Sequence, residues 1–202
     1  MTMFYLVRHG ETVWNKEQRL QGWLDSQLTS DGIMHAKKLG EHLKSVKFAA
    51  AFCSSSERAK ETLSYLVHDK NLPIHYVDDL REINLGNWQG RTIDEVRQHD
   101  RYEYEVYTDF PAQFIATHTE SFGTVTERAM YALKNIANQY PDDKILLVSH
   151  GVTIKCIVNA ILGRSIKQLW APPIIEDTSV TIVDVENDQW RVKEIGSTLH
   201  LQ

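Results

Sequence analysis

Apolar residues gather in short, nearly unbroken stretches at intervals along the chain: Phe4–Val7, Ala49–Cys53, Ile145–Val148 and Val180–Val185. A strand that is apolar in succession, rather than alternately, is covered on both faces, as in a parallel sheet flanked by helices. Two shorter stretches, Ile74–Val77 and Trp190–Ile195, extend the set. Val180–Val185 and Trp190–Ile195 are joined through "ENDQ" and alternate more, which predicts a hairpin at the edge of the sheet.

Helical spacing fills the intervals. Ile33, Ala36, Leu39, Leu43 and Val46 share one helix face, with Thr29 or Ser30 as the cap. Ser54 and Glu57 have capping-box spacing before "RAKETLSYLV", and Thr92 and Glu95 repeat it before "VRQHDRYEYEVY". Ser121 opens "FGTVTERAMYALKNIANQY", which stops at Pro141, and Gly151 precedes "VTIKCIVNAILG". Strands that alternate with helices predict an α/β fold. The expected architecture is a three-layer sandwich: a mostly parallel central sheet with an antiparallel edge strand, and helices on both faces. Residues 1–202 are expected to form a single domain, with a lid-like excursion around residues 80–120 over one end of the sheet.

Composition narrows the class. The chain has 202 residues, 42 % hydrophobic and 24 % charged, the proportions of a soluble globular protein. Its formal charge of −5 offers no footprint for a polyanion, so no nucleic-acid partner is expected. "MTMFYLVRHG" reaches a charge too early for a secretory segment, and no apolar run is long enough to span a membrane. The expected location is cytoplasmic. Cys53 and Cys156 are far apart in apolar surroundings, which predicts two buried free thiols and excludes a disulfide framework or a thiolate zinc site.

Chemistry concentrates where the strands stop. "LVRHG" at Leu6–Gly10 and "LLVSHG" at Leu146–Gly151 each end an apolar strand in histidine and glycine. In open α/β sheets ligands bind beyond the carboxyl ends of the strands, so His9 and His150 are expected on one edge. If the two strands are neighbours, both imidazoles can address one small group, with the glycines letting the backbone turn and approach a ligand. "CSSSERAKET" adds Arg58 in the first turn of a helix on the same edge. Arg8, Arg58, the two histidines and helix N-terminal amides make an anion site suited to phosphate. "LREINLGNWQG" brings Glu82, and a carboxylate beside a phosphate pocket makes sense as a carrier of a proton. The remaining histidines, His35, His42, His68, His75, His99, His118 and His200, are read as structural or solvated.

"LVRHGETVWN", "QGWLDSQLTSDG", "SSERAKET", "LREINLGNWQG" and "LLVSHG", in this order, resemble the histidine phosphatase superfamily with its phosphoglycerate mutase-like fold. The resemblance runs from Leu6 to about Ser179. It implies that His9 is the nucleophile and that Arg8, Arg58, Asn15 and His150 bind the phosphoryl oxygens. It further implies that Glu82 is the general acid, that Gln21 and Gly22 lie on the substrate loop, and that Gly151 offers backbone near the phosphate. No metal and no cofactor are implied, and the partner is a small-molecule phosphate ester; the assembly is expected to be a monomer or a homodimer. Mutases of the family carry a longer insertion and an Arg-His-Tyr-Gly run after the acid, where this chain has Ile83, Asn84, Leu85 and Gly86. The chain is thus more similar to the short phosphatase branch.

The expected reaction is hydrolysis of phosphate monoesters through phosphohistidine on His9. The neighbouring arginines are expected to keep that imidazole neutral. The alternatives are phosphoglycerate mutase-type transfer and a non-catalytic phospholigand-binding module. A metallohydrolase built on His9, His150 and Glu82 is disfavoured, because Arg8 and Arg58 would repel a divalent cation. The segment Asp100–Thr119 carries Tyr102, Tyr104, Tyr107, Phe110 and Phe114, with Trp23 and Trp88 as candidate partners. These aromatics suit either core packing or a partly apolar lid over the substrate.

Overall fold

In the computed structural model, which describes residues 1–68, 70–115 and 119–202, all six apolar stretches are strands. His118, grouped above with the structural histidines, lies outside the described residues. The strands are β1 (Thr2–Arg8), β2 (Ala50–Ser54), β3 (Ile74–Val77), β4 (Lys144–Ser149), β5 (Val180–Glu186) and β6 (Gln189–Ser197). They form a single sheet in the order β3-β2-β4-β1-β5-β6. β1 to β4 are parallel, β5 runs antiparallel to β1, and β6 returns beside it as the edge of a hairpin.

Helices α1 (Val13–Lys16), α2 (Ser30–His42), α3 (Glu57–Leu66), α4 (Ile93–His99), α5 (Arg101–Asp109), α6 (Phe122–Gln139) and α7 (Gly151–Ile161) complete the layers. The unbroken apolar runs explain why both faces are covered. On β4, Ile145 and Leu147 pack into one core with Leu133 and Ile136 of α6 and Ile154 of α7. Leu146 and Val148 turn the other way, onto Leu39 of α2 and Leu63 and Leu66 of α3. β3 is the exception: at one edge of the sheet, its Ile74 and Tyr76 side chains are exposed.

Caps follow the sequence in most places. The Thr29 hydroxyl accepts from the Gly32 amide at the start of α2, and Thr92 and Glu95 form their reciprocal box at the start of α4. "VRQHDRYEYEVY" is two helices rather than one, since Asp100 leaves helical geometry between α4 and α5. The Ser54–Glu57 box does not form. β2 continues through Ser54, whose hydroxyl is taken by His150, and the first amides of α3 donate instead to Asp25.

Two features set the site. β1 and β4 are hydrogen-bonded neighbours with Arg8 opposite Ser149, so the next residues, His9 and His150, emerge side by side at the carboxyl edge. Gly10 uses its missing side chain against the protein rather than a ligand: a Cβ there would lie 2.8 Å from the Gly32 carbonyl oxygen of α2. The excursion has its own apolar cluster, in which Ile83, Leu85, Trp88, Val96, Tyr104 and Tyr107 pack with Phe122 and Val125 of α6 and Cys156 of α7. Cys53 and Cys156 are buried free thiols. Among the described residues no helix is long and apolar enough to cross a membrane.

Candidate active site

The carboxyl ends of β1, β2 and β4 meet at a cavity of about 430 Å³ walled by Arg8, His9, Asn15, Arg58, Glu82 and Gly151. His9 is 3 % exposed. Its Nδ1 lies 2.8 Å from the Gly10 carbonyl oxygen. A carbonyl only accepts, so Nδ1 carries the proton and Nε2 keeps a free lone pair. Burial holds this imidazole well below the usual histidine range, and the charges of Arg58 and Arg8 add to that. The arginines therefore act in the expected direction, behind desolvation.

His150 is the opposite tautomer. Its Nδ1 lies 3.1 Å from Arg58 Nη2, which can only donate, so Nε2 bears the hydrogen and donates to Ser54 Oγ at 2.7 Å. Burial, then Arg58, keeps it neutral. The two rings stand edge to face, 5.2 Å between centroids. His150 thus meets His9 as expected, but both of its nitrogens are engaged by protein and it is not part of the cavity wall.

Arg58 is 1 % exposed and rigidly held. Nη1 donates to the Leu24 carbonyl and Asp25 Oδ1, both at 2.7 Å, and Nη2 to the Gly22 carbonyl at 2.8 Å. Its Nε is buried without a partner. Arg8 repeats the arrangement: Nη1 donates to the Ile175 carbonyl at 2.6 Å, and Nε is again buried and unpartnered. Arg8 and Arg58 both line the cavity, and each keeps a buried Nε–H without a protein acceptor, so the pair suits an anion. Asn15 spends its side-chain oxygen on Thr12, leaving its amide NH₂ for a ligand. The Glu82 carboxylate accepts from the Val152 and Thr153 amides at the start of α7, both at 3.1 Å.

Residues 4–198 match the model of the histidine phosphatase superfamily, branch 1. The chain belongs to that family. It is 31 % identical to the probable phosphoglycerate mutase GpmB of Salmonella arizonae, over 100 % of this chain and 95 % of the relative. It is 29 % identical to the uncharacterized phosphatase PhoE of Bacillus subtilis, over 100 % and 97 %. Among solved structures, YhfR of Bacillus stearothermophilus superposes with a TM-score of 0.98 at 38 % identity, covering 100 % of both chains. The fold is accordingly that of the phosphoglycerate mutase-like proteins, and the chain is a phosphatase or phosphoglycerate mutase-like enzyme.

This histidine phosphatase gathers every sequence-derived site residue at the cavity except His150, which stands against His9. Gln21 and Gly22 line it, and Gly22 takes a positive φ of 53° where a Cβ would collide with the Gln89 side chain. Gly151 brings backbone against Arg8, whose Nε would be 3.7 Å from a Cβ at that position. The aromatic segment resolves toward packing: Tyr104 and Tyr107 are buried with Trp88, Tyr102 and Phe110 are exposed, and Tyr107 alone of the named tyrosines reaches the cavity. Trp23 lies apart, donating to the Glu82 carbonyl with the Arg81 guanidinium over its ring.

Sequence reasoning passed over Asp25, Ser54, Thr62, Glu120 and Arg128. Thr62 had a signal, the R-A-x-x-T spacing: its hydroxyl accepts from the Gly10 amide and donates to the Arg58 carbonyl, tying α3 to the loop after His9. Asp25, Glu120 and Arg128 had none, since each acts on residues distant in sequence.

Proposed function

We propose that the chain hydrolyses small phosphate monoesters through a phosphohistidine on His9, with Glu82 as general acid and base. The observation that carries this reading is the free Nε2 lone pair of a buried, neutral His9 beside two unpartnered guanidinium N–H groups. Nε2 attacks phosphorus, the ester P–O bond breaks, and the departing alkoxide takes the proton of the Glu82 carboxyl. The Nδ1–H bond to the Gly10 carbonyl supports the positive charge that develops on the ring. A water then attacks the phosphohistidine and gives its proton to Glu82. The P–N bond breaks, and inorganic phosphate and neutral His9 are released. Arg8, Arg58 and Asn15 hold the phosphoryl oxygens throughout, so most of the acceleration comes from fixed charge and position. His150 supports Arg58 from behind the clamp. No step calls on a metal ion.

The leaving-group side of the cavity favours hydrolysis over mutase transfer. Ile83 and Leu85, which occupy the place of the mutases' polar run, are buried and line the wall with Leu20, Tyr107 and Trp170. Arg19 and Lys155 also line the cavity, so the preference for hydrolysis rests on the apolar residues at the place of the polar run and not on a wholly apolar wall. The test is brief mixing with a radiolabelled aryl phosphate and an alkaline quench, which preserves phosphohistidine. Label on the wild type, none on His9→Ala, and phosphate release in excess of enzyme with no acceptor present are expected. His9→Ala should lose at least about 10⁴-fold in turnover. Unlabelled wild-type protein, or release that needs a phosphate acceptor, would overturn the reading.

A further inference from the structure

Outside the cavity, the most densely bonded polar group next to the chemistry is Arg128 on α6. Its Nη1 donates to the carbonyls of Asp79 and Arg81 at 2.8 and 2.7 Å, and its Nη2 to the Glu82 carbonyl at 3.0 Å. The same guanidinium grips Glu120 in a fork, Nε to Oε1 and Nη2 to Oε2, both at 2.9 Å. Both side chains are largely buried, 14 % and 16 % exposed. Glu120 reaches further: its Oε2 accepts from the Asn84 amide and its own amide donates to the Asn84 carbonyl, each at 2.8 Å. The backbone from Asp79 to Asn84 is therefore held on one side by Arg128 and on the other by Glu120.

We infer that Arg128 and Glu120 are positioning residues for the proton-transfer step, fixing the backbone of Glu82 so that its carboxyl meets the leaving oxygen. The inference rests on Glu82 being the general acid. The backbone needs such a brace because residues 81–85 are a loop: no ladder fixes them, and the flanking single turns, Asp78–Leu80 and Gly86–Trp88, are short. The carboxylate end is held at the amides of Val152 and Thr153, and the Thr153 hydroxyl and the Trp23 indole N–H add bonds to the Arg81 and Glu82 carbonyls. With the carboxylate fixed on α7 and Arg128 of α6 adding three bonds to the backbone from Asp79 to Glu82, the side chain has little freedom, and the contact of these two helices becomes part of the geometry. Misplacement by about 1 Å is enough to cost on the order of 100-fold in a positioned step. Lysine cannot replace the fork, since a single ammonium cannot address three carbonyls and both carboxylate oxygens.

A role in proton delivery has a signature that a role in stability lacks. A leaving alcohol of high pKa needs the proton, whereas a nitrophenolate leaves without it. The experiment compares kcat/KM, which reports phosphoryl transfer to His9 and not the later hydrolysis common to both esters, for an alkyl phosphate and 4-nitrophenyl phosphate in Arg128→Lys, Glu120→Gln and Glu82→Gln. Both positioning variants should lose tenfold or more on the alkyl ester with KM within about threefold, and far less on the nitrophenyl ester. Glu82→Gln should show the same selectivity more strongly. Equal losses on both esters in the two positioning variants, while Glu82→Gln remains selective, would overturn the inference alone. Equal losses in Glu82→Gln would instead remove the general-acid reading beneath it. Inhibition by inorganic phosphate, measured in parallel, should be unchanged in folded variants; a variant that loses it reports collapse of the clamp and counts against a selective role.

Discussion

His9 and His150 are the same residue type, each follows one of two adjacent parallel strands, and their ring centroids are 5.2 Å apart, yet they are fixed as opposite tautomers. A carbonyl facing Nδ1 of one and a guanidinium facing Nδ1 of the other decide the matter. In ¹⁵N spectra His9 should show a protonated Nδ1 and a bare Nε2, with the reverse at His150. Neither ring should titrate near 6.5, because burial and the arginines oppose the charged form of both. A midpoint close to 6.5 for either ring would contradict this. The pairing of strand-His-Gly segments was legible in the sequence because each is local. The roles of Ser54 and Asp25 were not, because they are assigned by residues 96 and 33 positions away.

Helix α3 starts without a cap of its own: Ser56 makes no side-chain cap bond, and the Glu57 and Arg58 amides donate to Asp25 at 3.0 and 3.3 Å. One carboxylate thus both caps the helix and balances the buried Arg58 charge. Asp25→Ala removes both, a cap worth about 1 kcal/mol and the partner of a buried cation. Asp25 is itself 27 % exposed, which screens part of the second term. The expected loss is on the order of 2 to 4 kcal/mol, read from urea unfolding at unchanged slope. A loss below about 1 kcal/mol would mean that Arg58 finds its support elsewhere. At this scale the strands and most caps could be read from periodicity. The split at Asp100 could not, because helical spacing continues through the break and only the backbone dihedrals at that residue interrupt it.

At the scale of the molecule, three histidines among the described residues are held below the usual range in the native state: His9 and His150 at the site, and His200, pushed down to about 4 by burial and by the nearby His42. Their native pKa values lie below the unfolded value of about 6.5. The unfolded chain therefore binds more protons as pH falls, and their stabilising contribution is complete above about 6.5 and is lost progressively below it. Each group contributes a slope of at most about 1.4 kcal/mol per pH unit. The urea midpoint should fall between pH 7 and pH 5, a window in which most carboxylates stay ionised. A midpoint that holds or rises would overturn this. The layered α/β plan was readable from unbroken apolar runs. The division of the aromatic segment into packed Tyr104 and Tyr107 and exposed Tyr102 and Phe110 was not, since ring type alone does not say which side faces a neighbour.

His9 is anchored in the central sheet, its amide bonded to Ser149, whereas the segment bearing Glu82 leans on the separate cluster around Trp88 and Tyr107. In the proposed mechanism, phosphoryl capture by His9 and proton delivery by Glu82 consequently depend on different cohesive units. Mild denaturant that loosens the smaller unit first should leave a protein still able to accept a phosphoryl group from an activated donor while turnover on ordinary alcohol esters has already stopped.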